Sequence, residues 1–83
     1  MPGYHISDIP RGVLGELSKI QEELSEAVDA DEQSCSVMVL IELSDMVGAV
    51  DAYLEKYHPT ISIGDLLKMA EITKRAFKSG ARG

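Results

Sequence analysis

Two acidic clusters at helical spacing are the residues of this 83-residue chain most able to do chemistry. The first cluster contains Glu22, Glu23 and Glu26, and the second contains Glu42 and Asp45. Residues three apart on a helix point about 60° apart and differ by about 4.5 Å in height, so each cluster presents a pair of carboxylates on one face. Two such helices packed side by side would form a pocket of four carboxylates.

Charge balance favours a divalent cation as the partner of these carboxylates. From residue 20 to residue 55 the chain has ten Asp and Glu and no Lys, Arg or His. Burying carboxylates without a partner is costly or raises their pKa until they are neutral. All-oxygen sites select hard ions, and Mg²⁺ takes phosphate oxygens as its remaining ligands. We therefore expect Mg²⁺, with Mn²⁺ as a substitute, and a phosphate-bearing substrate.

The alternative interpretation of both clusters is solvated surface charge. A Glu-Glu-x-x-Glu sequence on a helix is usually no more than this. Glu42 and Asp45 are harder to explain in this way, because their apolar neighbours leave only a narrow polar strip on the helix. A strip of that kind could still face solvent.

Hydrophobic periodicity predicts a first helix that carries the first cluster. Apolar residues recur at three- and four-residue steps from residue 13 to residue 28. Ser7 or Asp8 is a suitable N-cap, and Pro10 is tolerated in a first turn. We expect this helix to run to about Ala30.

The same periodicity predicts a second and a third helix. The second should cover residues 37–57 and, since it is apolar on all sides, should be central and buried. The third should begin near Ser62, whose capping partner would be Asp65, and should end at Gly80.

Chain length indicates one domain, residues 1–83, that completes its core by association. A chain this short buries only about 60% of the surface that its unfolded form exposes. Two neighbouring helices can hardly cover an all-apolar second helix. We predict an all-α fold with a small three-helix protomer and a four-helix-bundle-like core completed by homo-oligomerisation, as a homodimer or homotetramer.

Composition argues against several other classes. A net charge of −6 is unsuitable for general nucleic-acid binding, which depends on Lys and Arg. No apolar run reaches the roughly 18 residues of a membrane span, and we expect no membrane partner. The single Cys35 and an N-terminus without a signal-peptide pattern lead us to expect a cytoplasmic protein.

The order and spacing of the two clusters resemble a known family. Glu22-Glu23-x-x-Glu26 is followed, after fifteen residues, by Glu42-x-x-Asp45. This pattern is similar to the hallmark of the MazG-like all-α nucleoside-triphosphate pyrophosphohydrolases, small phage and bacterial members included. Residues 12–23 and 66–77 are similar to that group as well, so the resemblance covers most of the chain.

The resemblance implies Mg²⁺-dependent cleavage of a nucleoside triphosphate to a monophosphate and pyrophosphate. By position, Glu23, Glu26, Glu42 and Asp45 would be metal ligands, and Glu22 would orient or deprotonate the attacking water. The resemblance does not indicate how the base is recognised. Gly48 and Ala49 occupy positions at which some relatives have a side chain that contacts the base or a phosphate. Base and sugar preference and the number of metal ions stay open.

Four cations of the third helix and tail are our candidates for triphosphate contacts: Lys74, Arg75, Lys78 and Arg82. Their alternative role is to interact with the carbonyl end of the helix. Lys19 is expected to pair with Glu22 or Glu23 and not with a ligand. The alternative function for the whole chain is a non-catalytic helical module that forms oligomers and binds a partner or a nucleotide.

Overall fold

A computed structural model describes residues 8–79, except for the side chains of Phe77 and Ser79. Within that range it contains three helices and no strand: α1 covers Leu17–Glu32, α2 covers Ser36–Tyr57 and α3 covers Ile63–Ser79. The prediction of an all-α class is therefore confirmed. None of these helices is both long enough and apolar enough to span a bilayer. Gly80, the predicted end of the third helix, lies outside the described residues.

The predicted start of the first helix is wrong, because α1 begins at Leu17 and not near Asp8. Gly15 has a φ of 93°, a left-handed conformation that interrupts a helix and that glycine adopts without strain. Glu16 is extended and forms the N-cap. Residues 8–16, which we call the N-terminal strap, therefore precede the helix, with Pro10 inside the strap. Ser7, the other predicted cap, lies outside the described residues.

α1 and α2 form an antiparallel hairpin joined by a tight turn. The Cys35 N–H donates to the Ala30 carbonyl oxygen at 3.0 Å and the Ser34 N–H to the Asp31 carbonyl oxygen at 2.9 Å. With Ser34 at a φ of 59°, these bonds form a Schellman motif that ends α1 and reverses the chain. The turn places the acidic residues of the two helices side by side.

The core between α1 and α2 is thin. Its buried apolar residues within the described range are Ala27, Ala30, Ala49 and Leu54. In a single chain α2 is not buried on all sides, since Val37 is 67% exposed and Leu40 is 68% exposed; its full burial stays a prediction that depends on association. Packing against α1 covers only one face of α2, and apolar side chains on its other faces are exposed.

Of the other two helices, α3 contacts only α2 within residues 8–79. No residue of α3 comes within 8 Å of α1, measured between Cα atoms. Its predicted start is confirmed: the Asp65 N–H donates to Ser62 Oγ at 3.1 Å, and the Ser62 N–H donates to Asp65 Oδ2 at 2.9 Å. This reciprocal pair satisfies two backbone donors at the helix start.

A polar clamp joins the start of α1 to the end of α2. The Glu16 carboxylate accepts hydrogen bonds from Lys56 Nζ and from the Tyr57 hydroxyl, the latter at 2.7 Å. The hydrogen bonds from Lys56 first, and then from Tyr57, lower the pKa of Glu16. The clamp therefore stabilises the hairpin while Glu16 is ionised.

Replacing Glu16 by glutamine should remove the pH dependence of this clamp. Because the folded-state pKa is lowered, the stabilisation is present above the unfolded value of roughly 4.3 and is lost as the pH falls through the folded value. In melts followed by circular dichroism, wild type should exceed Glu16→Gln in Tm at pH 7, and the difference should shrink towards pH 3. Glu71→Gln, whose partner Arg75 is 4.0 Å away at an exposed position, is the control. A constant difference between wild type and Glu16→Gln would show that this carboxylate does not act through its charge.

Candidate metal centre

Carboxylates from both hairpin helices converge on one place. Glu23, Glu42 and Asp45 offer oxygens that lie within 4.8 Å of one another, and Glu22, Glu23 and Glu26 do the same. Glu23 belongs to both groups and connects them. Glu23 of α1 is thus brought together with Glu42 and Asp45 of α2, whereas the predicted fourth carboxylate, Glu26, is grouped with Glu22 and Glu23 on α1 alone.

The carboxylates of this cluster differ in their exposure to solvent. Glu23 is 5% exposed and Glu42 is 3% exposed, whereas Asp45 is exposed. Glu22 and Glu26 are half-buried. The carboxylates between the helices are shielded from water, and the Asp45 side gives access to an ion or a substrate.

Glu23 shows the electrostatic strain of the cluster most clearly. Burial raises the pKa of this carboxyl, and the negative charges of Glu26, Asp45 and Glu22 raise it further. The positive charge of Lys19 opposes this effect without cancelling it. A divalent cation would relieve both the burial and the repulsion, so the donor set fits Mg²⁺ or Mn²⁺.

Glu22 has a different environment from its neighbour. Its Oε1 accepts hydrogen bonds from the Gly12 N–H at 2.7 Å and from Lys19 Nζ at 3.2 Å. The bond from Gly12 is the main cause of the lowered pKa of Glu22, followed by Lys19 and then by the charge of Arg11. A carboxylate held ionised in this way is better suited to orienting a water molecule than to taking its proton.

Lys19 supplies part of the counter-charge of the pocket. Its Nζ lies 3.2 Å from Glu22 Oε1 and 3.6 Å from Glu23 Oε2, so the predicted pairing is confirmed with both partners. Burial opposes a charged Lys19, but the two carboxylates outweigh it and raise the pKa of this lysine. Lys19 immediately precedes residues 20–55, which contain no Lys, Arg or His. Its single positive charge is smaller than the combined negative charge of the clustered carboxylates.

Asp29 is a buried acid that the sequence reasoning missed. It is 2% exposed, and its Oδ2 accepts a hydrogen bond from Gln33 Nε2 at 3.0 Å. Its position three residues after Glu26 and seven after Glu22 is the helical signal that could have identified it. Asp29 belongs to neither group of converging carboxylates. Its hydrogen bond with Gln33, the C-cap residue, lies at the C-terminal end of α1.

The cations of the third helix lie on an element that contacts α2 but not α1 within the described residues. Lys74, Arg75 and Lys78 are exposed on α3, which stays more than 8 Å from α1 between Cα atoms. Arg82 lies outside the described residues. Contact between these side chains and a substrate stays a prediction.

The site is an all-carboxylate cluster from two helices, in which Asp45 is exposed. This donor set defines a candidate centre for a hard divalent cation. The chain matches no protein-family model, no curated protein and no solved structure.

Proposed function

We propose that this protein is a Mg²⁺-dependent nucleoside-triphosphate pyrophosphohydrolase, which yields a monophosphate and pyrophosphate. The observation that carries the proposal is the convergence of Glu23 on α1 with Glu42 and Asp45 on α2 within 4.8 Å. This is the arrangement expected from the resemblance of the two motifs to the MazG-like enzymes. A solvated charge strip on the surface would not require buried carboxylates from two helices to face one another.

The environment of each carboxylate favours a different role for it. Glu23, Glu26, Glu42 and Asp45 would hold the ion, which when bound neutralises phosphate charge and lowers the pKa of a water molecule. Glu22, fixed through its Oε1 by Gly12 and Lys19, would orient the attacking water with its other oxygen. Little covalent chemistry is required of the protein, whose contribution is position and charge.

Pyrophosphate release tests this proposal. We would assay the canonical ribo- and deoxyribonucleoside triphosphates with Mg²⁺, and again with excess chelator. The expected result is release of pyrophosphate and monophosphate in equal amounts from at least one substrate, and only with the metal. Absence of release from every substrate by a folded protein would contradict the proposal, as would release of inorganic phosphate alone.

We also propose that the active form is a homodimer or homotetramer. Large apolar side chains are exposed on all three helices, among them Leu17, Leu24, Val37, Leu40, Val47, Leu67 and Ile72. A second copy that covered the open faces of α2 would supply the core that one chain lacks. Sedimentation should give a multiple of the 9.0 kDa protomer mass, and a monomer at all concentrations would contradict this assembly.

The same exposed apolar surface favours the second candidate function, a non-catalytic helical interaction module. In that case the carboxylates of the hairpin would have no role in turnover. Loss of both metal binding and pyrophosphate release on replacement of Glu42, with an intact fold, distinguishes the enzyme from the module.

A further inference from the structure

The N-terminal strap is fixed to α1 directly beside the metal centre. The Gly12 N–H donates to Glu22 Oε1 at 2.7 Å, and the Val13 N–H donates to Ser18 Oγ at 3.1 Å. Gly12 also lies so close to α1 that a Cβ atom there would overlap the backbone of Ser18 and Lys19. The strap therefore has a defined position that requires glycine at residue 12.

A partly open cavity of about 260 Å³ lies between the strap and α1. It is lined by Pro10, Arg11, Ser18, Gln21, Glu22 and Ser25. Glu22 belongs both to this cavity and to the carboxylate cluster, so the two sites adjoin. Drug-sized ligands occupy roughly 300–1,000 Å³, so the cavity is suited to a fragment such as phosphate groups and not to a whole nucleotide.

Arg11 provides the positive charge of this cavity. It is near enough to Glu22 for its charge to be felt at that carboxylate. A guanidinium presents its N–H donors in a planar fork that matches phosphate oxygens. Arg11 lines this cavity together with Glu22, whereas the described cations of α3 are not among its lining residues.

We propose that the cavity between the strap and α1 is a phosphate subsite, in which Arg11 binds the phosphate groups that leave as pyrophosphate. Ser18, Gln21 and Ser25 offer hydrogen-bond donors along its wall. The inference rests on the proposed function and specifies the subsite next to its metal centre. The lack of a side chain at Gly12 is what allows the strap to hold Arg11 there.

Binding of inorganic pyrophosphate in the presence of Mn²⁺ tests the subsite without turnover. By calorimetry on the full chain, Arg11→Gln should weaken pyrophosphate binding by about tenfold or more, because a charge-assisted bidentate contact is lost. Its affinity for Mn²⁺ alone should stay within about twofold of wild type, since Arg11 is not a ligand. Lys68→Gln, which removes one positive charge from an exposed position on α3, is the matched control and should bind pyrophosphate as wild type does.

Gly12→Ala provides a second test, because the added methyl group should displace the strap and weaken pyrophosphate binding while α1 and α2 stay helical by circular dichroism.

Wild-type pyrophosphate affinity in Arg11→Gln would overturn the subsite while leaving the metal centre in place. Loss of pyrophosphate affinity in Arg75→Gln instead of Arg11→Gln would also overturn the subsite, because it would assign the phosphate contacts to α3. If wild type bound no Mn²⁺ at all, the proposed function itself would be wrong and the subsite with it.

Discussion

Replacing Glu42 by glutamine is expected to lower pyrophosphate release by at least about 100-fold while the helices stay folded. Glu42 is 3% exposed and offers an oxygen within 4.8 Å of oxygens of Glu23 and Asp45. Glutamine keeps the shape of the side chain and removes the negative charge that a divalent cation needs.

The matched control for this variant is Glu55→Gln, the same change at an exposed position of α2. Its rate with saturating Mg²⁺ and its melting curve in chelator should both be those of wild type. A Glu42→Gln protein with the wild-type rate would exclude this carboxylate as a ligand. Circular dichroism of each variant separates loss of the metal centre from loss of the fold.

Replacing Leu54 by alanine is expected to have the largest effect on stability. Leu54 is 6% exposed and is the largest of the buried apolar residues between α1 and α2 in the described range. Truncating a buried leucine costs about 2–5 kcal/mol, which is a large part of the stability of so small a chain. Urea unfolding followed by circular dichroism should show a large fall in the midpoint, or a chain already unfolded at 25 °C.

The comparison for that variant is Leu67→Ala, because Leu67 is 62% exposed on α3. In dilute protein it should cost well under 1 kcal/mol, as surface substitutions usually do. A cost below about 1 kcal/mol for Leu54→Ala would contradict the packing of the hairpin, since a leucine at that position could then hardly be buried.

The parts of this fold that depend on local pattern were predictable from the sequence. The second helix follows from an unbroken apolar stretch, and the start of the third follows from Ser62 and Asp65 three residues apart. The carboxylate pocket was predictable for the same reason. A three-residue spacing fixes the face of each pair, and a short turn makes consecutive helices neighbours.

The parts that depend on distant contacts were not predictable in this way. The bond from Gly12 to Glu22 spans 10 residues, and the clamp from Tyr57 to Glu16 spans 41 residues. The start of α1 was placed too early, because apolar spacing continues into the strap through Val13 and Leu14. The left-handed conformation of Gly15 overrides that spacing, and periodicity carries no information about backbone φ.

Composition also could not predict which Lys and Arg side chains lie near the acidic cluster. Five of the eight Lys and Arg follow residue 57, which suggested that the third helix meets the phosphates. Within the described residues, α3 contacts α2 but not α1, and Lys19 and Arg11 are the cations that lower the pKa of Glu22. Charge counted along the chain does not reveal which element packs against the acidic pocket.

Equilibrium binding of Mn²⁺ to the metal-free protein, followed by the electron paramagnetic resonance signal of free Mn²⁺, tests the central claim most directly. We expect saturable binding that Mg²⁺ displaces, that Glu42→Gln abolishes and that Glu55→Gln leaves intact. A protein that is helical by circular dichroism and takes up no Mn²⁺ in a saturable manner would contradict the metal centre and the activity inferred from it.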